Sequence, residues 1–180
     1  MATKCEVIVK NGVETGKVAI FGLENRDIIY RNFTGRVDRQ YNPMGRRLFT
    51  IVLDPMSAQV FQRKGYNVKV APPKDDGEEP TYTLKVGVRF DLNFAKPRIG
   101  QFKRGRKVPV DEGNIANFDN ATFEEVNLVV RPYTYIDRST GKDKISAQVD
   151  EMSAYLASGV LEELWDLDDG PAEDDSPFGE

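Results

Sequence analysis

The chain has 180 residues, of which 25 are Lys or Arg and 29 are Asp or Glu, with no histidine and a single cysteine, Cys5. This composition excludes an internal disulfide, a zinc site built from Cys and His, and catalysis by Ser-His or Cys-His groups. It leaves a magnesium site built from carboxylates alone as an alternative, but no cofactor or metal is predicted. The single cysteine, the absence of an apolar run near ~20 residues and the absence of an N-terminal signal sequence predict a reducing, cytosolic setting without membrane contact.

Charge is divided unevenly along the chain. Residues 1–149 hold all 25 basic residues and 18 of the acidic ones, a net charge of +7, whereas residues 150–180 hold 11 acidic residues and no basic one. A basic body predicts a polyanionic partner, and an acidic tail predicts a different task for the C-terminus. We therefore expect a nucleic-acid-binding domain at residues 1–157 and a flexible acidic tail at residues 158–180.

The first predicted elements are two antiparallel hairpins. Apolar segments 6–10 and 17–21 flank the turn signal Asn11-Gly12. The second hairpin covers residues 31–53 and turns at residues 42–45, where proline presets φ and glycine accepts a positive φ.

The second hairpin interleaves arginines with aromatic residues. Cations for phosphates beside rings for bases are the combination that a sequence-independent single-strand binder uses. The alternative interpretation is a solvated edge hairpin whose rings point into the core. Under the first interpretation the turn-flanking arginines are exposed, and the candidate contacts are Tyr30, Arg31, Phe33, Arg36, Arg39, Tyr41, Arg46, Arg47 and Phe49.

A short helix and a strand are predicted next. Asp54 is a suitable N-cap for a helix that has Pro55 at its first position, Met56 facing the core and Gly65 beyond its end. Residues 81–90 alternate between an apolar and a cationic face, as expected of a half-buried strand. The cationic face adds Lys85 and Arg89 to the candidate contacts.

A second basic segment covers residues 94–110 and is predicted to be an extended basic loop that contacts nucleic acid, with a merely solvated loop as the alternative. Its glycines leave the backbone free to bend, and its cations surround an aromatic ring. The candidate contacts in this segment are Arg98, Phe102, Lys103, Arg104, Arg106 and Lys107.

Two paired strands are predicted near the end of the body, after a helical turn within residues 111–123. Pro132 confines the strand at 125–135 to an edge or a strand end, and Arg131, Tyr133 and Tyr135 share one of its faces as candidate contacts. In the strand at 145–156 the apolar phase changes midway, which predicts a β-bulge.

About seven short strands and one helix predict a mainly β protein. The favoured architecture is an OB-fold-like, small antiparallel Greek-key barrel with one short helix and extended basic loops, followed by a disordered acidic tail. An immunoglobulin-like sandwich is the structural alternative.

Several motifs resemble those of phage-encoded single-stranded DNA-binding proteins. They are RNFTGR, YNPMGRRLFTIVLD, GYNVKV, EEPTYTLKVGVRF, VNLVVRPYTY and SAYL, and their order covers most of residues 30–156. The resemblance implies an OB-fold, no catalysis, and coating of single-stranded DNA during phage replication, recombination or repair in the cytoplasm of an infected bacterium.

The C-terminus is similar to the acidic tip of bacterial single-stranded DNA-binding proteins. The matching residues, Asp174, Asp175, Pro177 and Phe178, imply docking of replication or recombination proteins on the tail. The chain departs from that pattern because Gly179 and Glu180 follow the phenylalanine, so the terminal carboxylate is not on the ring-bearing residue. A tail that only increases solubility is the alternative.

Three further functions remain open at this point. An RNA-binding OB protein would use the same groove, and contacts to a 2′-hydroxyl cannot be read from a sequence. A protein-interaction module could act through the acidic tail alone. An enzyme would have to use the carboxylates at residues 75–79, which lie in a polar loop without an apolar wall to raise a pKa. The oligomeric state is open as well, and a homo-oligomer is compatible with the sequence.

Overall fold

The computed structural model describes residues 3–93 and 95–158. Position 94 and the predicted tail, including the four candidate tail contacts, therefore lie outside the described residues. Within them the chain forms one α-helix, two short 3₁₀ helices and ten strands. The strands are β1 (Lys4–Lys10), β2 (Val13–Leu23), β3 (Ile28–Asn32), β4 (Arg47–Leu53), β5 (Lys69–Ala71), β6 (Thr81–Val88), β7 (Arg98–Lys103), β8 (Arg106–Val110), β9 (Phe123–Ile136) and β10 (Asp143–Leu156).

Both predicted hairpins are confirmed. β1 pairs antiparallel with β2, and β3 pairs antiparallel with β4. Asn11 and Gly12 join the paired residues Lys10 and Val13, so they form the two-residue turn of the first hairpin. Both residues have a positive φ, 54° and 77°. Positive φ at both central residues gives the turn a twist that matches that of the flanking strands.

The order of the strands is that of a small Greek-key barrel. Neighbours along the sheet run β3, β4, β6, β10, β9 and β2. β2 continues into β3 across the first 3₁₀ helix, Asn25–Asp27, so this interrupted strand lies beside both β4 and β9. The mainly β, OB-fold-like class is confirmed. All ten strands belong to one sheet, which does not agree with the two packed sheets of a sandwich.

The sheet is not purely antiparallel, in contrast to the prediction. β10 pairs in parallel with β6 at Ala147 and Gln148, and in parallel with β7 from Glu151 to Tyr155. These pairings arise because β9 lies between β10 and β2, which leaves the other edge of β10 for β6 and β7.

The helix α1, Pro55–Arg63, begins as predicted. The Asp54 carboxylate accepts a hydrogen bond from the backbone N–H of Ser57 at 2.7 Å, and Pro55 occupies the first position. Met56 does not face the core, contrary to the prediction, because its side chain is 79% exposed. Ala58 and Phe61, three residues apart, define the buried face, and Met56 lies on the other side of the first turn.

Within the second basic segment, residues 98–110 form a hairpin and not the predicted loop. β7 and β8 pair antiparallel, and Arg104 and Gly105 join them in a two-residue turn with φ of 51° and 77°. Ile99 and Val110 are buried, which anchors this hairpin to the core. The sequence did contain a turn signal for this hairpin, the pair Arg104-Gly105, which the prediction did not use.

The last two strands form a long antiparallel hairpin that agrees with the prediction. The pairing of β10 with β9 shifts between Val149 and Glu151, at the predicted phase change. Pro132 lies within β9, beyond the last residue pair with β2, Val18 and Val130, so only β10 pairs with β9 at that point. The predicted helical turn is the second 3₁₀ helix, Ile115–Asp119.

Candidate nucleic-acid interface

The side of the barrel that faces away from the core brings several candidate contacts together. We call this surface, formed by β6, β9 and β10, the outer face. Register places Gly87 beside Gln148 and Gln148 beside Arg131. Two residue pairs further along, Ser146 lies beside Tyr133. Since side chains two residues apart on a strand share a face, the predicted contacts on this outer face are Lys85, Arg89, Arg131, Tyr133 and Tyr135.

A cation–π pair lies at the centre of the outer face. The Arg89 guanidinium carbon is 5.1 Å from the centroid of the Tyr133 ring, and Arg89 also pairs with Asp91, Nη2 to Oδ2, at 2.8 Å. Tyr135, two residues further on, is 43% exposed. A single strand of nucleic acid that crosses this surface therefore meets aromatic rings and a cation side by side, which is the arrangement suited to stacked bases and their phosphates.

Two buried polar groups on the outer face lack part of their hydrogen bonding. Arg131 donates through Nη2 to the carbonyl of Ala95 at 2.7 Å, but its Nε has no hydrogen-bond partner. The Oε1 atom of Gln148 is also unpaired, and a Cβ on Gly87 would come within 2.9 Å of it. Gly87 is therefore needed for Gln148 to lie flat on the sheet. Both atoms are buried and therefore not accessible to a ligand, and the Arg131 Nε atom also lies 4.0 Å from the Asp150 carboxylate.

The β3–β4 loop, residues 33–46, is held in shape by two polar side chains, those of Asp119 and Asn42. The carboxylate of Asp119 accepts hydrogen bonds from the backbone N–H groups of Phe33 (2.6 Å) and Thr34 (3.2 Å), from the Thr34 hydroxyl, and from Arg36 (3.0 Å). The Asn42 side chain bonds to the carbonyls of Arg36 and Arg46 and to the N–H of Arg46. The backbone of this loop is thus positioned before any ligand arrives.

Apolar and cationic side chains project from this loop into solvent. Val37, Tyr41 and Met44 are 67%, 77% and 74% exposed, and Arg36, Arg39 and Arg46 are exposed as well. An ordered loop that presents rings and cations loses little conformational entropy when it binds.

Hydrogen bonding keeps Asp119 ionised. Burial acts to raise the pKa of this carboxyl, but the hydrogen bonds from Thr34 and from the backbone of Phe33 outweigh it, so the pKa lies below its ordinary value of 3.8. A group with a depressed folded-state pKa stabilises the fold above its unfolded pKa, and this contribution is lost as pH falls through the folded value.

We expect Asp119→Ala to lower the free energy of unfolding by about 1–3 kcal/mol at neutral pH, because two backbone donors lose their partner. Asp119→Asn keeps one acceptor and is the matched control, with a smaller loss. In urea unfolding the difference between wild type and Asp119→Ala should be constant above about pH 5 and shrink below about pH 4. Equal stability of the three proteins at neutral pH would show that Asp119 does not hold the loop.

Two predicted contacts are wrong. Phe33 and Phe49 are completely buried, with ring centroids 4.8 Å apart, and Phe118 packs edge-on against Phe33 at 5.4 Å. Rings in the core cannot stack on bases without unfolding the barrel. For these two residues the alternative interpretation of the basic hairpin holds.

Two arginines of the same hairpin, Arg31 and Arg47, contact other groups of the protein and are half-buried. Arg31 donates to the carbonyls of Ile28 (3.1 Å), Phe118 (3.2 Å) and Ala121, and burial lowers its pKa against the opposing effect of Asp119. Arg47 is not the exposed turn residue that was predicted. It is half-buried, with its guanidinium carbon 5.6 Å from the centroid of the Phe90 ring.

The remaining predicted contacts lie on the surface of the described residues. Tyr30 is 81% exposed and has a φ of 50°, unusual for a residue other than glycine, at a bulge where the register of β3 and β4 shifts. The contacts predicted on the second basic segment, which are Arg98, Phe102, Lys103, Arg104, Arg106 and Lys107, lie on the β7–β8 hairpin beside β10.

Sequence reasoning did not identify Asp119 and Asn42 as the residues that organise the β3–β4 loop. Asp119 is 85 residues from Thr34 in sequence, so no local pattern connects them. Among the described residues there is no group of three or more His, Cys, Asp or Glu side chains placed to hold a metal, and no helix long and apolar enough to cross a bilayer.

Two solved structures of a phage protein are similar to this chain. The single-stranded DNA-binding protein from bacteriophage Enc34 matches with a TM-score of 0.51 at 9% identity, over 87% of this chain and 92% of that one. A C-terminal truncation of the same protein matches with a TM-score of 0.52 at 9% identity, over 88% and 98%. At this identity the likeness establishes the fold alone. No curated protein matches the chain.

A family comparison identifies the chain more specifically. Residues 14–168 match the sequence model described as "Putative phage ssDNA-binding domain", which covers most of the body that carries the outer face and the β3–β4 loop. Binding of single-stranded DNA is not an enzymatic activity, in agreement with the prediction of no catalysis. The chain belongs to this family of phage single-stranded DNA-binding domains.

Proposed function

We propose that this protein coats single-stranded DNA without base selectivity during phage replication or recombination, in the cytoplasm of the infected host. The observation that carries the proposal is the combination of the Arg89–Tyr133 pair on the outer face with the ordered β3–β4 loop, which presents Tyr41, Arg39 and Arg46 to solvent. Rings that stack on any base and cations that follow the backbone give affinity without reading base edges.

The acidic tail has a separate role in this proposal. The nine acidic residues of positions 158–180 can compete with DNA for the basic body, because a short tether gives an effective concentration in the millimolar range. When DNA occupies the body, the released tail presents Asp174, Asp175, Pro177 and Phe178 to replication or recombination proteins. The proposal for the tail is supported by its charge and by its resemblance to the acidic tip of bacterial single-stranded DNA-binding proteins.

A competition experiment tests the proposed substrate. Labelled poly-dT bound to the protein is challenged with unlabelled poly-dT, poly-U and duplex DNA at matched phosphate concentration. We expect poly-dT to displace the label far better than duplex, because paired bases cannot stack on protein rings. Equal displacement by duplex would indicate a general polyanion binder, and stronger displacement by poly-U would indicate an RNA-binding protein.

A further inference from the structure

A row of four side chains crosses the sheet at the end of β10, beyond the outer face. Register aligns Lys107 on β8, Phe102 on β7, Tyr155 on β10 and Glu125 on β9. The Phe102 and Tyr155 rings are stacked, with centroids 4.7 Å apart and planes within 16° of parallel. The Lys107 ammonium lies 5.8 Å from the Phe102 centroid, so the stack is flanked by a cation on one side.

On the other side of the stack, Tyr155 is paired with Glu125 of β9, and its ring is partly exposed. A shallow depression of about 260 Å³ is bordered by Tyr155, Glu124 and Glu125, and the Tyr155 side chain is 37% exposed. The two carboxylates repel phosphate, so the depression suits a neutral base better than the backbone. Residues 98–107 of the neighbouring hairpin contain five basic residues and no acidic one, and Arg98 is ion-paired with Glu151 of β10 at 3.1 Å. The excess of positive charge gives the phosphates of the same DNA strand a favourable location.

This stack is separate from the outer face but on the same side of β10. Seven residues along the strand separate Gln148 from Tyr155, roughly 23 Å at ~3.3 Å per residue. The bulge near Asp150 shifts the alternation of β10 by one residue. Val149, Met152 and Ala154 are therefore all buried on the core side of the strand, and Gln148, Ser153 and Tyr155 all lie on its opposite side. A single DNA strand that runs along β10 can therefore reach both the outer face and the stack of Phe102 and Tyr155.

We propose that Phe102 and Tyr155 form a second base-stacking site, in which a base of the bound strand lies on the face of Tyr155 opposite Phe102. The site rests on the proposed function and extends it, since it lengthens the path of the DNA from the outer face to the β7–β8 hairpin. Cross-strand aromatic pairs also stabilise sheets, but that role does not require a partly exposed ring beside a basic hairpin.

Length-dependent binding tests this site. Oligothymidylates of ~4 and ~16 nucleotides, the two ends of the range of site sizes for this fold, are titrated against wild type and Tyr155→Leu. We expect Tyr155→Leu to weaken binding of the long oligonucleotide by about 5-fold or more and to leave the short one unchanged, because only the long strand reaches both sites. Tyr155→Phe keeps the ring and should bind both lengths as wild type does.

Phe21→Leu is the matched control, because this ring is 38% exposed on β2, outside both surfaces. A folded Tyr155→Leu protein that binds the long oligonucleotide normally, or that loses both lengths equally, would overturn the second site. If Tyr155→Leu does not fold, ultraviolet cross-linking of the long oligonucleotide to wild type decides, since the site requires a cross-link to Tyr155 or Phe102. Failure of wild type to bind either length would instead reject the proposed function itself.

Discussion

Replacing Tyr41 with alanine is expected to weaken binding of poly-dT by about 1–3 kcal/mol, the range for one ring that stacks on a base. The Tyr41 side chain is 77% exposed at the tip of the β3–β4 loop. Its backbone N–H donates to the Asp38 carboxylate at 3.0 Å, a contact that alanine retains. The loop should therefore keep its shape, and the melting temperature should stay within the small range typical of surface changes.

Tyr41→Phe is the control for this variant, because it keeps the ring and removes only the hydroxyl. It should bind poly-dT nearly as wild type does in fluorescence titrations. An alanine variant with normal affinity and reduced stability would assign the ring to the fold and remove it from the interface.

Deleting residues 166–180 should make the protein bind single strands more tightly at low salt. The segment contains seven acidic residues and no basic one, so its removal changes the net charge from −4 to +3. The remaining body attracts phosphates at longer range, and no tethered anion competes for the groove. At about 0.15 M salt the Debye length falls to about 8 Å, and the gain should shrink. Titration with poly-dT at low and moderate salt measures both effects.

Two controls separate charge from chain length and from partner binding. A tail of the same length with serine at the seven acidic positions should reproduce the gain if charge causes it. Phe178→Ala removes no charge and should leave DNA affinity unchanged, but it should abolish capture of purified host replication proteins by the tail. Weaker DNA binding by the truncation would mean that the tail belongs to the fold or to the binding surface.

Local patterns predicted much of the fold. Turn chemistry at Asn11-Gly12, the cap at Asp54 and the phase change near Asp150 each depend on residues adjacent in sequence, and each was confirmed. The β7–β8 hairpin was missed because its many cations and glycines suggested a loop. Burial of Ile99 and Val110 against distant strands stabilises a hairpin that its composition does not favour.

The sequence predicted which segments carry exposed rings and cations, but it did not predict the orientation of every residue in them. Alternation placed Lys85 with Arg89 on one strand and Arg131 with Tyr133 on another, since the period of a strand fixes which side chains share a side, but it could not show that the two strands form one surface. Interleaved rings and arginines did not show that Phe33 and Phe49 point inward. Phe33 lies in the loop beyond β3, where no period applies, whereas the alternation of Phe49, Ile51 and Leu53 in β4 was a signal that the prediction did not use. Nor could they reveal Asp119, whose role depends on a contact between segments far apart in sequence.

The salt dependence of DNA binding tests the interface most directly. For single strands, the slope of log affinity against log salt changes by about −0.7 for each phosphate that a cation neutralises. If Arg39 and Arg46, both exposed on the β3–β4 loop, each contact a phosphate, Arg39→Ala combined with Arg46→Ala should reduce the slope for poly-dT by about 1.4 without changing the melting temperature. Arg63→Ala, on α1, should leave the slope as in wild type. A wild-type affinity that does not change with salt, or the same slope in the double variant, would show that the DNA does not bind at this surface.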